Sequence, residues 1–435
     1  MSQPKHQPAN GRGAHSMPQA HKRTRPKRRF LFALALVLAS AAIGVSVWHT
    51  FFTGESALTS AAGSALPFPA VPTATPAPTP EPTPVVEVVH FAAAGDDLIH
   101  SRIYQQAARN AQNGAAYDFS SCYENVASFF EGFDVDWINQ ESLVNSELAP
   151  STYPCFSTPG ECAEALYNIG FRVFSLSNNH SYDKGTAGIA ATQRFWVSMP
   201  SDVVTTGFWS GESDYDRIPM QQINGMTIAY LSYTEQTNGI RIADDAPATI
   251  IYTSQTDIIQ RQVMLAAQQA DFVVVGVHWG VEYSHTTSDA QKALAQQLSD
   301  WGADVIIGTH PHVIQNAEWL TAADGSQTFV AYSLGNFIST QSQADTMVGA
   351  VLTFDLQKTM QPDGTAQYAV LSPKLHPVVT QYDSNVHNIT TYLYRDYTPE
   401  MAEKHGVRLK DSKFSYDYIT QMIQDVISPE FLDIT

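Results

Sequence analysis

DFVVVGVHWGVEYSHTTSDAQKALAQQLSDWGADVIIGTHPH, residues 271–312, decides the fold. The apolar run 272–277 reads as a buried strand that stops at His278-Trp279-Gly280. A helical pattern covers 288–301. A second apolar run, 305–307, then stops at Gly308-Thr309-His310-Pro311-His312. Strand, helix, strand in this order is the unit of a layered α/β sheet. The same alternation extends outward. VVEVVHFAAAGD, from Val85, predicts a first strand. Further strands are expected at 134–140, 172–178, 226–233, 328–335 and 349–356. Helices are expected at 100–113, 121–131, 160–169, 185–199 and 254–270. No fixed-period repeat interrupts the pattern. Residues beyond about 380 are polar and Tyr-rich, with one helical pattern at 413–427 and no chemical motif.

The charge is unevenly distributed. The first fifty residues hold eight of the 24 Lys/Arg and none of the 42 Asp/Glu, so the remainder carries 16 against 42, a balance of −26. An acidic bulk argues against nucleic acid as a partner, since phosphate binding needs a basic face. With 44% hydrophobic and 11% aromatic residues, global disorder is excluded. The basic run Lys22, Arg23, Arg25, Lys27, Arg28, Arg29 precedes FLFALALVLASAAIGVSVW, residues 30–48. Nineteen helical residues span roughly 28 Å, close to a bilayer core. Ala39-Ser40-Ala41 fits a signal-peptidase site, but the apolar run exceeds the about 7–15 residues of signal-peptide cores. The expectation is a cytoplasmic tail (1–29), an uncleaved transmembrane signal anchor (30–52), a Pro-rich linker (53–85), a folded α/β domain (86–378) and a C-terminal appendage (379–435). The positive flank stays inside, so the protein is placed in the cell membrane, single-pass, with the C-terminal bulk extracellular. Cys122, Cys155 and Cys162 allow at most one internal disulfide; free thiols and a Cys155–Cys162 bridge both remain open.

Position carries the chemistry. Strand candidates end at Gly95-Asp96, at Glu141, at Asn178-Asn179-His180, at His278 and at His310-Pro311-His312. Ligands of α/β sheets gather at the carboxyl ends of parallel strands. Taken singly, each residue has an ordinary structural role available to it. Asp96 would serve as a helix cap, Asn179 as a turn residue, and a lone histidine as a hydrogen-bonded core group. Together at one end of one sheet, mixed oxygen and imidazole donors suit Mn, Fe or Zn. The set is large enough for two divalent metal ions sharing a carboxylate. Alternation in extended structure would put the rings of His310 and His312 on one side.

At these residues the chain resembles the CapA family, the poly-γ-glutamate capsule synthesis proteins. The resemblance rests on AAAGDDLIHSRIY (92–104), NQES (139–142), SLSNNHSYDKG (175–185), LSYT (231–234), VGVHWGVEY (275–283), GADVIIGTHPHVIQ (302–315) and YSLGNF (332–337). It covers about 86–356 and implies a calcineurin-like metallophosphoesterase fold, a four-layer β-sandwich flanked by helices. By that resemblance Asp96, Glu141, Asn179, His278, His310 and His312 are metal ligands, with Glu141 as the bridge. His180 is the neighbouring acid. Two departures stand out. The usual Asp-x-His is replaced by Asp96-Asp97-Leu98, with His100 the nearest imidazole, and the bridge is Glu rather than Asp.

The resulting expectation is a metal-dependent hydrolase-like site in which His180 protonates a leaving group. Asp183 either orients His180 or, the preferred reading for an Asp at that place, caps the helix near Gly185. Glu282 and Tyr283 would line the pocket. Asn336 would hydrogen-bond loop backbone. The role is capsule, poly-γ-glutamate or cell-surface polymer biosynthesis, on a phosphoester or an amide, alongside other synthase subunits. A non-catalytic structural or polymer-handling subunit is the alternative. A sugar or lipid-headgroup module built on Trp279, Tyr283 and Trp319 ranks third.

Overall fold

The computed structural model describes residues 83–435. The tail, the anchor and nearly all of the linker expected before Val85 lie outside the described residues. Among the described residues no helix is long and apolar enough to cross a membrane. The strands in chain order are β1 (Val85–Asp97), β2 (Val135–Asn139), β3 (Val144–Asn145), β4 (Thr158–Pro159), β5 (Val173–Ser175), β6 (Val204–Thr206), β7 (Met220–Ile223) and β8 (Met226–Thr234). They continue with β9 (Phe272–His278), β10 (Val305–Thr309), β11 (Ala317–Thr321), β12 (Gln327–Ala331), β13 (Asn336–Ile338), β14 (Val348–Met360), β15 (Ala366–Gln381) and β16 (Thr390–Leu393).

Two sheets result. The first runs β16-β15-β14-β1-β2-β5-β6, with β13 beside the end of β1; the second runs β11-β12-β10-β9-β8-β7. The centre of each is parallel: β1, β2, β5 and β6 in one, β8, β9, β10 and β12 in the other. Period-two alternation assigns the faces. Trp137 of β2 and Ser175 of β5 look toward the second sheet. A Cβ on Gly276 of β9 would lie 2.8 Å from the Trp137 ring, so glycine lets the indole approach that strand closely. Ser175 Oγ and Ser232 Oγ meet across the seam at 2.6 Å. Phe174 points the other way, onto Trp196 of the helix Gly185–Ser198, with ring centroids 4.6 Å apart. The outer face of the second sheet buries Val273, Val275 and Val277 against Ile259, Val263, Ala295 and Leu298 of the helices Thr256–Gln269 and Asp289–Trp301. The latter helix is the one read from 288–301. It opens on a Ser288/Gln291 capping box and closes on left-handed Gly302. The expected mixed α/β layering is therefore present, with helices outside two facing sheets.

Residues 379–435 are not an appendage. The expected boundary falls inside β15, and β16 pairs with that strand's last four residues. Phe414, Ile419, Ile423, Ile427 and Phe431 share a core with Phe91, Phe337 and Leu375. Residues 80–435 form one compact unit. The segment also braces a loop. Lys413 Nζ lies 3.0 Å from Asp345, the Ala344 N–H donates to Asp411 (2.9 Å), and the Tyr382 hydroxyl donates to the Gln341 carbonyl (3.0 Å). β15 escaped the sequence because AQYAVLSPKLHPVVTQ carries two prolines, which lack the N–H a ladder needs. A bulge absorbs the first. Ser372 has φ 52°, and the β14–β15 register shifts between Thr353 and Asp355. All three cysteines are free, with Cys122 and Cys162 buried.

A chain ending at Gln381 is expected not to fold. The five buried side chains named above contribute roughly 8–15 kcal/mol, as much as a whole domain's stability. Far-UV circular dichroism and limited proteolysis check this; a truncated chain with native protection would contradict it. A second expectation concerns His405. Its Nδ1 accepts the Val407 N–H (3.0 Å) and its Nε2 donates to the Thr380 carbonyl (2.8 Å), so the neutral ring is fully paired. Burial pushes its pKa from 6.5 down to about 4, with the Thr380 carbonyl acting the other way. The unfolded chain therefore takes up a proton that the folded one refuses. This contribution, roughly 3 kcal/mol, is complete above pH 6.5 and is lost as pH falls toward about 4. Urea midpoints of His405→Gln should fall less steeply over that range; an unchanged slope would contradict the assignment.

Candidate metal centre

All the expected ligands meet where the parallel strands of both sheets end. β1 delivers Asp96 through a register shift between Ala94 and Asp96. Gly95 is required there, since a Cβ would lie 2.0 Å from the Gly335 carbonyl oxygen. That contact explains why AAAGD and SLGNF occur in one chain: the two segments cross at their glycines, and the Asp96 N–H donates to the Gly335 carbonyl (2.9 Å). Glu141 follows β2, Asn179 and His180 follow β5, His278 ends β9, and His310 and His312 follow β10.

His310 and His312 do not share a side by strand alternation, as the sequence suggested. Both have positive φ, 98° and 58°, so the backbone turns sharply at each. A non-glycine residue held there costs roughly 1–3 kcal/mol, and such strain concentrates at functional sites. Part of the compensation is visible: the His310 N–H points at Asp96 Oδ2 (3.3 Å).

Six of these side chains are buried around a common centre. Glu141 Oε1 lies 3.5 Å from His278 Nε2, and Glu141 Oε2 lies 3.6 Å from His312 Nδ1. Asp96 Oδ2 lies 3.3 Å from the same His312 nitrogen. His278 Nε2 lies 2.8 Å from Asn179 Oδ1 and 3.1 Å from His310 Nδ1. Thr309 Oγ1 sits 2.9 Å from His278 Nδ1. With that nitrogen donating to the hydroxyl, Nε2 turns a lone pair toward oxygen atoms that also carry lone pairs. Two groups have the spacing to hold a cation, Glu141/His278/His310 and Asp96/Glu141/His312, and they share Glu141. Neither Glu141 oxygen has a hydrogen-bond donor, although both are buried. Buried carboxylate oxygens are ordinarily paired, so a divalent cation fits this vacancy of donors. Burial, reinforced by the charge of Asp96, holds the Glu141 carboxyl well above its ordinary pKa. Burial, reinforced by neighbouring imidazoles, holds His278 well below its own and His310 down at about 4. His278 and His310 are thus held neutral, as metal ligation requires.

Asp183 corrects an expectation. It caps nothing, because the helix Gly185–Ser198 has no side-chain cap. Its Oδ2 lies 2.7 Å from His180 Nδ1 and accepts the Phe156 N–H at 2.7 Å, so it orients His180. Phe156 packs edge-on against the same ring. Asn336 Oδ1 lies 3.1 Å from His312 Nδ1. Its amide donates to the Thr346 carbonyl (2.9 Å) and to Gln341 (2.8 Å), the loop role expected of it plus a contact to a ligand.

A cavity of about 460 Å³ opens over the centre. It is lined by His100, His180, His312, Glu282 and Tyr283, with Tyr153, Phe156, Gln236, Asn238 and Gln341. His100 thus reaches the mouth but belongs to neither ligand group; burial lowers its pKa to about 4. Tyr153, Gln236 and Asn238 sit in long loops without periodic pattern, so no sequence signal marked them. Asn139 was legible only as a strand-end amide; it donates to Asp96 Oδ1 at 2.8 Å. Trp279 is buried, donating to the Tyr332 carbonyl (2.9 Å), and Trp319 lies on edge strand β11 against Phe329. The aromatic module loses two of its three rings. A larger hollow of about 660 Å³ adjoins Arg194 and Arg217, but Glu147 and Asp214 already pair both guanidiniums.

A family model for the bacterial capsule synthesis protein PGA_cap matches residues 90–341. Over 220 residues the chain is 32% identical to the PGA biosynthesis protein CapA of Bacillus subtilis (strain 168), covering 50% of this chain and 55% of that one. Over 269 residues it is 31% identical to the capsule biosynthesis protein CapA of Bacillus anthracis, covering 59% and 60%. The chain thus spans less than two thirds of the length of these curated relatives. Among solved structures, the NAD nucleotidase of Haemophilus influenzae is similar with a TM-score of 0.38 and 13% identity, over 80% of this chain and 57% of that one.

Glu141→Gln removes the charge that both ligand groups share. The substituted chain is expected to take up less divalent metal than the wild type, read as metal per chain after dialysis. Wild-type metal content in the variant would contradict the shared role.

Proposed function

Because the chain belongs to the bacterial capsule synthesis protein PGA_cap family, we propose that it serves poly-γ-glutamate capsule or cell-surface polymer biosynthesis through a metal-dependent, hydrolase-like centre. The observation that carries this is Glu141, a buried carboxylate without a donor, shared by two groups of ligand geometry. Asp96, Glu141, Asn179, His278, His310 and His312 would hold two divalent ions, Mn, Fe or Zn. When bound, such ions supply Lewis-acid activation of water and polarisation of the bond under attack.

The chain's own residues do the rest. Asp183 fixes the His180 ring through Nδ1, which leaves Nε2 to give a proton to the leaving group. Phe156 and Tyr283 wall the cavity. Gln236, Asn238 and Gln341 offer amide groups to a substrate's polar atoms, and among the described residues no Lys or Arg lines the cavity. Bound metals would therefore be the cationic partners this lining offers a polyanionic polymer. An amide or phosphoester bond placed over the centre is the substrate this lining accommodates. The basic run at 22–29 followed by the apolar run at 30–48 supports a membrane-anchored protein with its folded part outside the cell. Other subunits of a polyglutamate synthase are its proposed partners. One observation favours a second, non-catalytic reading as a polymer-handling subunit. The position after Asp96 that usually leads to a first-motif histidine is here Asp97, which turns into the interior, and His100 stays outside both ligand groups.

The two readings separate by experiment. His180→Ala is expected to keep the bound metal and lower turnover of the polymer substrate by about 10²–10⁴-fold. His278→Ala combined with His310→Ala should lose both metal and capsule polymer in cells. Full polymer production by that double variant would sink the catalytic reading. A wild-type chain holding no Mn, Fe or Zn in any preparation would sink the metal centre itself.

A further inference from the structure

Behind the ligands lies a buried polar cluster that the proposed reaction does not use. Asp97 is fully buried. Its Oδ1 accepts the Tyr123 hydroxyl (2.7 Å), and its Oδ2 accepts the Gln140 amide (2.7 Å) and the Cys162 thiol (3.4 Å). Gln140, also fully buried, is the hub. Its amide nitrogen also lies 3.3 Å from the Asp97 carbonyl and 3.3 Å from Ser142 Oγ, sharing its second hydrogen between them. Its own N–H donates to the Ser175 carbonyl (3.0 Å), and its carbonyl accepts the Asn178 amide (2.8 Å). Asn178 Oδ1 in turn accepts the His180 N–H (3.0 Å). One glutamine therefore joins the ends of β1, β2 and β5, the three segments that carry Asp96, Glu141, Asn179 and His180.

The cluster matters because of what Glu141 lacks. Among the described residues neither of its carboxylate oxygens has a hydrogen-bond partner, so the hydrogen bonds that tie this residue are those of its backbone. That backbone is tied at the Glu141 N–H, which donates to the Asp97 carbonyl (3.3 Å), and one residue earlier at Gln140. A buried charge is costly, and apolar side chains would fill the volume more cheaply. They would not fix the registration of three strand ends.

We propose that Asp97 and Gln140 are positioning residues, which hold Glu141 at the point where the two ligand groups meet. The inference rests on the metal-centre reading above. Its test is the dissociation constant for Mn(II), by titration calorimetry on the metal-stripped full-length chain, with the metal-free melting temperature measured alongside. Gln140→Met keeps the length of the side chain and removes its donors. It is expected to weaken Mn(II) binding about 10–100-fold, the usual consequence of losing a group that orients a ligand. Cys162→Ala is the control. It disturbs the same buried cluster without touching the Glu141 segment, so it should lower the melting temperature and leave the Mn(II) constant within about twofold of the wild type. Should Gln140→Met fail to fold, Asp97→Asn provides the reading. It keeps an oxygen for Tyr123, turns a donor toward Gln140, and should weaken Mn(II) binding in the same direction. Wild-type affinity in the folded variant, or equal weakening by Cys162→Ala, would overturn the positioning role alone. A wild-type chain that takes up no Mn(II) would overturn the metal centre and this inference with it.

Discussion

A carboxylate in the seam between two sheets, with neither oxygen hydrogen-bonded, is the constraint around which this molecule is arranged. Glu141 is costly to bury unpaired, and its surroundings show what the cost is set against. Imidazole nitrogens from the second sheet approach one side of it, and Asp96 with His312 the other. A single sheet could not supply this set. Parallel strands of both sheets must end at the same level, and the sheets must lie close enough for ligands from each to share one carboxylate. Gly276 under Trp137 and the Ser175–Ser232 contact set that closeness a few residues before the ligands emerge.

The strain at the centre is offset by its support. His310 and His312 occupy left-handed backbone that their side chains disfavour, and His278 is held from behind by Thr309. The SLGNF segment crosses β1 at Gly335 and sends Asn336 to His312. The loop beyond it, which brings Gln341 to the cavity, is in turn fastened by Tyr382, Asp411 and Lys413. The C-terminal segment carries no ligand, yet the cavity wall depends on it. Precision at a metal site requires rigid surroundings, and here the rigidity comes from residues up to a hundred positions downstream of the last ligand.

Much of this was legible beforehand. Val275, Val277, Ile306 and Ile307 announced buried parallel strands because such strands are apolar on both faces. His278 and His310 announced a site because they interrupt those runs at the carboxyl end. β15 was not legible, since Pro373 and Pro377 argue against a strand unless a bulge takes up the missing donor. Asp183 was read as a cap because local spacing to Gly185 is all a sequence offers. Its actual partner, His180, lies three residues back, and the fold decides between them by setting the Phe156 N–H and the His180 ring against the same carboxylate. Tyr153, Gln236 and Asn238 reach the cavity from loops whose course depends on everything they pack against.

The sequence by itself determined the alternation of strands and helices up to β14 and the gathering of Asp96, Glu141, Asn179, His278, His310 and His312 at strand ends. Those properties follow from periodicity and from where polar residues interrupt it, which are local. Tertiary structure alone decided that Glu141 stands between two ligand groups, that Asp97 faces inward rather than into the centre, and that residues 379–435 belong to the fold. Each of these depends on which distant segments come within a few ångströms of one another, and no spacing along the chain encodes that distance.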